Sequence, residues 1–132
     1  VDEIHSSACD LNSVNCIAIK NDKLVGYNTD EYGFKMMLEN ISHNFKDNVF
    51  LILGNGATAQ IVCSVLCDNF LNKISILGRN DQNVKKFIQN INEIKLSPNI
   101  IKKYLPEKNK SYIIINCLPL NIDKKSRYKQ NE

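Results

Sequence analysis

Residues 49–59 read VFLILGNGATA, so five consecutive apolar residues run directly into a turn that contains two glycines. A short, continuous apolar run is typical of a parallel strand that is buried on both faces. Apolar residues at helical spacing follow the turn, at positions 61, 62, 65, 66 and 70. This order of strand, turn and helix predicts the first unit of a parallel α/β sheet.

The same alternation continues towards the carboxyl terminus. Residues 74–77 predict a second strand, residues 84–91 a second helix and residues 112–116 another buried strand, while residues 96–110 are compatible with a short strand and a turn. Right-handed crossovers between such strands give the first half of a doubly wound, Rossmann-like parallel sheet. We therefore predict a fold of the α/β class.

The residues before this sheet have a different pattern. In chain order we expect the end of a helix within residues 2–11, a β-hairpin with strands at 14–19 and 24–27, and an amphipathic helix over residues 30–42. Thr29 or Asp30 is the expected N-cap of that amphipathic helix. The polar segment at residues 42–48 predicts a linker, and it is the one plausible domain boundary.

The turn after the first apolar run has the pattern G-x-G-x-x-A of a dinucleotide-binding loop. In such a loop Gly54 allows a tight turn, Gly56 lets the backbone approach a pyrophosphate, and Ala59 permits close packing of helix on strand. The N-terminus of the helix offers N–H groups and a positive dipole end to the phosphates. We assign the whole loop to cofactor binding: Gly54, Asn55, Gly56, Ala57, Thr58 and Ala59. The alternative is a glycine turn that holds no ligand.

The end of the second predicted strand selects the cofactor. An acidic residue there would bind the ribose 2′-hydroxyl of NAD, whereas this chain has Gly78-Arg79-Asn80. The planar guanidinium of Arg79 can pair with a 2′-phosphate, so the sequence favours NADP over NAD. The alternative is that Arg79 is an ordinary surface residue. Asp81 is expected to cap the next helix.

Further segments resemble the shikimate dehydrogenase family. Val14-Asn15, followed by KLVGYNTDEYGF at residues 23–34, is similar to the family's AVNT segment, hairpin and G-x-NTD-x-x-G-F/L motif. The glycine loop, Gly78-Arg79-Asn80 and NCLPL at residues 116–120 follow in the family's order, where it has G-A-G-G-A, Asn-Arg-Thr and NATPLGM. The resemblance covers roughly residues 8–122.

This resemblance implies NADPH-dependent reduction of 3-dehydroshikimate to shikimate, a step of aromatic amino-acid biosynthesis. Asp30 matches the family's catalytic Asp, which partners a catalytic Lys and binds a substrate hydroxyl, and Asn15 matches an Asn that contacts the substrate. By the same match the remaining cofactor-binding residues are Gly78, Arg79, Asn80, Cys117 and Leu118.

The resemblance also suggests a division of the chain and shows where it departs from the family. Residues 1–43 are predicted to end a substrate-binding domain, residues 48–122 to form part of an NADP-binding domain, and residues 123–132 to be a polar tail. The family's N-V-T-x-P-x-K motif, which carries the catalytic Lys, and its Ser-x-Ser substrate clamp are expected to precede Val1. We therefore expect this isolated chain to be inactive. The alternatives are a non-catalytic NADP-binding module or decayed remnant, and a quinate- or NAD-using relative.

Composition excludes several other classes of protein. The 17 basic and 14 acidic residues leave a net charge of only +3, and just Arg79 and Arg127 are arginines. Arginine is the usual reader of base edges, so we expect no nucleic-acid partner. The resemblance implies a small-molecule substrate, shikimate or 3-dehydroshikimate. No apolar run approaches the ~20 residues of a membrane helix. With no visible signal peptide, we expect a cytoplasmic or plastid-like matrix location and no membrane partner.

The cysteines give no sign of a disulfide framework. There are five of them, an odd number, at positions 9, 16, 63, 67 and 117. Cys63 and Cys67 lie one helical turn apart, but no third or fourth ligand follows at the spacing of a metal site. We expect reduced thiols and no metal ion. The sequence leaves the oligomeric state open.

Overall fold

The computed structural model of the chain describes residues 1–9, 13–41, 44–69, 73–95 and 101–119. In chain order the elements are β1 (Glu3–Ile4), α1 (Ser6–Cys9), β2 (Cys16–Lys20), β3 (Lys23–Tyr27), α2 (Asp30–Glu39), β4 (Asn48–Leu53), α3 (Ala57–Asn69), β5 (Ile74–Leu77), α4 (Asp81–Lys95), β6 (Ile101–Lys103) and β7 (Ser111–Asn116). The predicted polar tail at residues 123–132 lies outside the described residues.

The first sheet has three strands in the order β1-β3-β2. β2 and β3 form the predicted hairpin, and its turn places Asn21 and Asp22 at φ values of 50° and 60°, which Asn and Asp tolerate better than most residues. The prediction of a helix end within residues 2–11 was wrong for its first part. Glu3 and Ile4 instead pair in parallel with β3, and among the described residues of this stretch the helical ones are Ser6–Cys9.

The second sheet contains four parallel strands in the order β6-β5-β4-β7, as a Rossmann-like half-sheet requires. β4 is central, and its residues from Val49 to Ile52 are buried, as the continuous apolar run predicts. Phe50 and Ile52 are fully buried in the main core, together with side chains of α3, α4, β5 and β6. The predicted α/β class is confirmed.

β7 is not the buried strand that its apolar sequence predicted. It pairs with β4 on one side only and lies at the edge of the described sheet. Ile113 and Ile115 pack against the core, whereas Ile114 points to the opposite face and is 62% exposed. The apolar run therefore identified a strand of a parallel sheet correctly, but it did not show that one of its faces is uncovered.

Helix α2 joins the two sheets. It begins at Asp30 as predicted but ends at Glu39 rather than at residue 42. Its buried Leu38 packs into the main core, and Phe45, in the segment predicted as a linker, packs against Phe50 with ring centroids 5.7 Å apart. Among the described residues, no helix has both the length and the apolar character that crossing a membrane requires.

Candidate functional site

The glycine loop passes tightly between the ends of β5 and β7. Gly54 has a φ of +107°, and its N–H donates a hydrogen bond of 2.8 Å to the carbonyl of Leu77. A Cβ at Gly54 would lie 3.2 Å from the carbonyl oxygen of Cys117 and 3.3 Å from the Leu118 side chain. Both the backbone conformation and the close approach require glycine here, in agreement with the tight turn predicted for this position.

Gly56 faces open space. No atom would lie within 4 Å of a Cβ at this residue, and Gly56, Ala57 and Thr58 are exposed. The first helical hydrogen bond after the loop runs from the Gln60 N–H to the Gly56 carbonyl. The amides of residues 57–59 therefore precede the hydrogen bonds of the helix, and this is the arrangement that an anion at a helix N-terminus uses.

Ala59 and Gly78 allow the close packing that holds the loop in place. Ala59 is fully buried in the core beneath the loop. A Cβ at Gly78 would lie 2.7 Å from Val84 and 3.0 Å from the side-chain oxygen of Asn55. The absence of a side chain at Gly78 thus lets the glycine loop approach the end of β5 and the start of α4.

Asn80, rather than Asp81, caps α4. The Asn80 side-chain oxygen accepts a 3.0 Å hydrogen bond from the N–H of Asn83, which is the pattern of an N-cap. Asp81 is the first helical residue and forms an ion pair with Lys103 on β6. Lys103 Nζ also donates a hydrogen bond to the Asp81 carboxylate, and this bond together with the Lys103 charge lowers the pKa of the Asp81 carboxyl. The sequence-based expectation for Asp81 was wrong because Asn is an equally good cap and stands one residue earlier.

Arg79 is exposed at the carboxyl end of β5, next to the glycine loop. It makes no hydrogen bond or ion pair with any residue in the described part of the chain. Its guanidinium is therefore available to an anionic group at this edge of the sheet. A 2′-phosphate has the charge and geometry that suit such a group.

Cys117 and Leu118 complete this edge. The Cys117 N–H donates to the Leu53 carbonyl at 2.9 Å, and the Leu118 N–H donates to the side chain of Asn116 at 3.1 Å. Burial raises the pKa of the Cys117 thiol, so it stays protonated and poorly nucleophilic.

The two cysteines of α3 are also unreactive, because burial raises the pKa of Cys63 and of Cys67. The described residues include no group of three His, Cys, Asp or Glu side chains placed to hold a metal ion.

The predicted substrate-facing residues form a second cluster, at the end of β3. The backbone N–H of Asn15 donates to the Tyr27 carbonyl at 3.0 Å. A Cβ at Gly26 would lie 2.8 Å from a methyl of Val14, so this glycine lets the segment before β2 lie close against β3. Asn15 and Asp30 are both exposed there.

Thr29 and Asn28 connect Asn15 to Asp30. The side-chain oxygen of Asn15 accepts from the Thr29 N–H at 3.0 Å and from the Thr29 hydroxyl at 3.3 Å. The side-chain oxygen of Asn28 accepts from the Asp30 N–H at 3.0 Å. Thr29 makes no side-chain capping bond to α2. The sequence analysis did not single out Asn28, although an Asn directly before a helix is a common source of such a turn.

The fold and its glycine loop define the class of Rossmann-like α/β proteins. Within that class the chain belongs to the family described as Shikimate / quinate 5-dehydrogenase, whose model matches residues 36–121. This confirms the family that the sequence motifs predicted.

Individual relatives agree with this assignment. The shikimate dehydrogenase (NADP(+)) of Clostridium perfringens is 36% identical over 121 residues, which cover 90% of this chain and 42% of that protein. The same enzyme of Clostridium beijerinckii is 40% identical over 79 residues, 60% of this chain and 29% of that protein. The chain thus spans at most about two fifths of the length of these curated relatives.

Solved structures show the same architecture. A shikimate dehydrogenase in complex with NADP+ has a TM-score of 0.77 and 28% identity, covering 97% of this chain and 45% of that chain. A 5-ketofructose reductase of Gluconobacter has a TM-score of 0.69 and 26% identity, covering 89% of this chain and 43% of that chain. Since these two enzymes act on different substrates, the shared fold alone does not define what this chain acts on.

Proposed function

We propose that this chain forms the NADP-binding half and part of the substrate-binding wall of an NADP-dependent shikimate dehydrogenase. The observation that carries this proposal is the position of exposed Arg79 at the end of β5, beside a glycine loop with an open face at Gly56. The curated relatives named as NADP(+)-dependent support the same cofactor.

In this proposal the residues of the loop bind the pyrophosphate. The amides of Ala57, Thr58 and Ala59 donate to phosphate oxygens, and the absence of a side chain at Gly56 leaves room for the approach. Gly54, Asn55 and Gly78 shape the loop, and Arg79 pairs with the 2′-phosphate. Asn80 holds the start of α4 beside Arg79. Cys117 and Leu118 line the end of the site near β7.

The substrate side of the proposal rests on Asn15 and Asp30. When bound, NADPH supplies the hydride that converts the ketone of 3-dehydroshikimate into the alcohol of shikimate. The Asp30 carboxylate accepts a hydrogen bond from a substrate hydroxyl, and the Asn15 amide contacts a second hydroxyl. In the family the Asp works with a Lys that supplies the proton, and no residue of this chain matches that Lys. General acid–base catalysis is typically worth ~10²–10⁴-fold, so we expect the isolated chain to bind ligands without turning them over.

Ligand mapping by NMR on the isotope-labelled chain tests both halves of the proposal. NADP+ should shift the amide signals of the loop at residues 54–59 and of Arg79, and shikimate should shift those of Asn15 and Asp30. Turnover should be absent. If NADP+ shifts none of the loop signals, the cofactor assignment is wrong and the reading as a decayed remnant gains support. Shifts with NADP+ but not with shikimate would leave an NADP-binding module.

The same titration distinguishes the proposed function from the remaining alternative, which is a relative that uses NAD or quinate. Arg79 disfavours NAD because the ribose 2′-hydroxyl of NAD carries no charge for a guanidinium to pair with. Replacing shikimate with quinate in the experiment compares the two substrates directly. Stronger shifts at Asn15 and Asp30 with quinate would replace shikimate in the proposal.

A further inference from the structure

Asn28 is a buried polar residue directly behind the proposed substrate-binding wall. Its exposed fraction is only 3%, and Ser64 is the other buried polar residue found within the described part of the chain. Burying an amide side chain is unfavourable unless its polar atoms are hydrogen-bonded. The bonds that Asn28 makes therefore indicate what it is there to hold.

Asn28 makes three hydrogen bonds to three different segments. Its backbone N–H donates to the Ser7 hydroxyl of α1 at 3.2 Å, and its side-chain N–H₂ donates to the Ser13 carbonyl at 3.1 Å. Its side-chain oxygen accepts from the N–H of Asp30. Because the Ser13 carbonyl can only accept and the Asp30 N–H can only donate, these two partners fix the orientation of the amide group.

The Asn28 side chain thereby connects the segment that carries Asn15 to the segment that carries Asp30. Ser13 lies two residues before Asn15, and Asp30 lies two residues after Asn28. Thr29 forms a second tie, since its N–H and hydroxyl both donate to the Asn15 side-chain oxygen. That oxygen is engaged on the protein side, so the group that Asn15 can offer to a ligand is its N–H₂ donor.

We propose that Asn28 is a positioning residue that sets the spacing of Asn15 and Asp30, and that Asn15 acts on the substrate as a hydrogen-bond donor. This inference rests on the proposed function for the identity of the ligand. The buried Asn28 amide, rather than direct packing, holds the Asn15 donor and the Asp30 carboxylate at the spacing that a polyhydroxylated carboxylic acid requires. Asn28 itself does not touch the substrate.

Two substitutions at Asn28 separate the effects of its two side-chain hydrogen bonds. Asn28→Ala removes both side-chain bonds, whereas Asn28→Asp keeps an acceptor for the Asp30 N–H and loses the donor to Ser13. Ser64→Ala is the matched control, because Ser64 is equally buried but belongs to α3. Hydrogen exchange at the Asp30 amide and the shikimate dissociation constant are measured by NMR for all four proteins, with thermal unfolding alongside.

We expect the Asp30 amide to exchange at least about tenfold faster in Asn28→Ala, the equivalent of one hydrogen bond of ~1.4 kcal/mol, and to change little in Asn28→Asp. Both variants should weaken shikimate binding about tenfold relative to Ser64→Ala. Unchanged exchange at Asp30 in Asn28→Ala, or a loss of binding no greater than that in Ser64→Ala, would overturn the inference.

The test also distinguishes this inference from the proposed function. If the unmodified chain binds no shikimate, the substrate assignment fails, and the exchange rates alone then judge whether Asn28 holds Asp30. A further variant, Asn15→Asp, tests the donor role. Because it replaces the N–H₂ group with an acceptor, it should abolish shikimate binding, and retained binding would contradict the donor assignment.

Discussion

Gly54 and Cys117 approach so closely that a Cβ on the glycine would lie 3.2 Å from the cysteine carbonyl oxygen. This contact joins the loop after β4 to the end of β7, while a hydrogen bond from Gly54 to Leu77 joins the same loop to β5. The carboxyl ends of three parallel strands thus meet at one glycine. In doubly wound sheets this edge is where ligands bind.

The two loop glycines should respond differently to substitution. Gly54→Ala introduces a strained φ and a tight contact with the Cys117 carbonyl, so it should lower the free energy of unfolding by about 2 kcal/mol. Gly56→Ala meets no neighbouring atom and should leave stability nearly unchanged, while it weakens NADP+ binding by filling the space next to the phosphates. Urea unfolding and dinucleotide titration measure the two effects. Equal loss of stability in both variants would contradict the different roles assigned to Gly54, in the tight turn, and Gly56, at the open face of the loop.

Replacing Arg79 should remove the preference for the phosphorylated cofactor. A hydrogen-bonded pair with a charged group is worth about 1.5–3 kcal/mol, so Arg79→Gln should weaken NADP+ binding about tenfold to hundredfold and leave NAD+ binding almost unaffected. Lys73→Gln is the control, since it also removes an exposed positive charge but lies just before β5, at the opposite end of that strand from Arg79. A similar loss of NADP+ affinity in both variants would mean that Arg79 acts only through its positive charge and makes no specific pair with the 2′-phosphate.

Asn80 should contribute to stability through its cap. Asn80→Ala removes the acceptor for the Asn83 N–H and should destabilise the protein by about 1 kcal/mol, whereas Asn80→Asp should retain the cap. The added negative charge of Asn80→Asp lies next to Arg79 and should weaken NADP+ more than NAD+. Thermal unfolding and the two titrations check these outcomes. If Asn80→Ala is as stable as the unmodified chain, the capping bond contributes nothing.

The Asp81–Lys103 pair should make stability depend on acid. Lys103 lowers the pKa of Asp81 below its ordinary value of 3.8, so the folded state binds this proton less tightly than the unfolded chain. The stabilisation is therefore present above about pH 4 and is lost as the pH falls through the lowered pKa. Unfolding measured between about pH 5 and 2 should show a shallower decline in Asp81→Asn than in the control Asp47→Asn. Identical slopes would contradict a coupled pair, and added salt should reduce the difference because both side chains are partly exposed.

Much of the parallel sheet could be predicted because local sequence and tertiary environment agree there. The run at residues 49–53 is apolar throughout because β4 has neighbours on both sides and buried faces, and the glycine loop follows from the turn that such a strand needs before a helix. The short strand β1 could not be predicted, because Glu3 and Ile4 are strand residues only through pairing with β3. The exposed face of β7 was missed for a similar reason, since an edge strand and a central strand of a parallel sheet have similar sequences.

The residues of the candidate site were proposed from the motifs, and their roles remain predictions. The resemblance to the family's segments points to Asn15 and Asp30, and the G-x-G-x-x-A pattern points to the glycine loop. Asn28 received no separate role from the sequence because its hydrogen bonds with Ser7 and Ser13 form only in the folded chain. Asp81 was preferred to Asn80 as a cap because composition alone does not separate two adjacent capping residues.

A comparison of NADP+ and NAD+ affinity by calorimetry on the unmodified chain tests the central claim most directly. The account predicts that NADP+ binds to one site per chain at least about tenfold more tightly than NAD+, the difference expected for a pair between Arg79 and the 2′-phosphate. Binding of neither dinucleotide, or equal binding of both, would contradict the claim that this chain carries an NADP site.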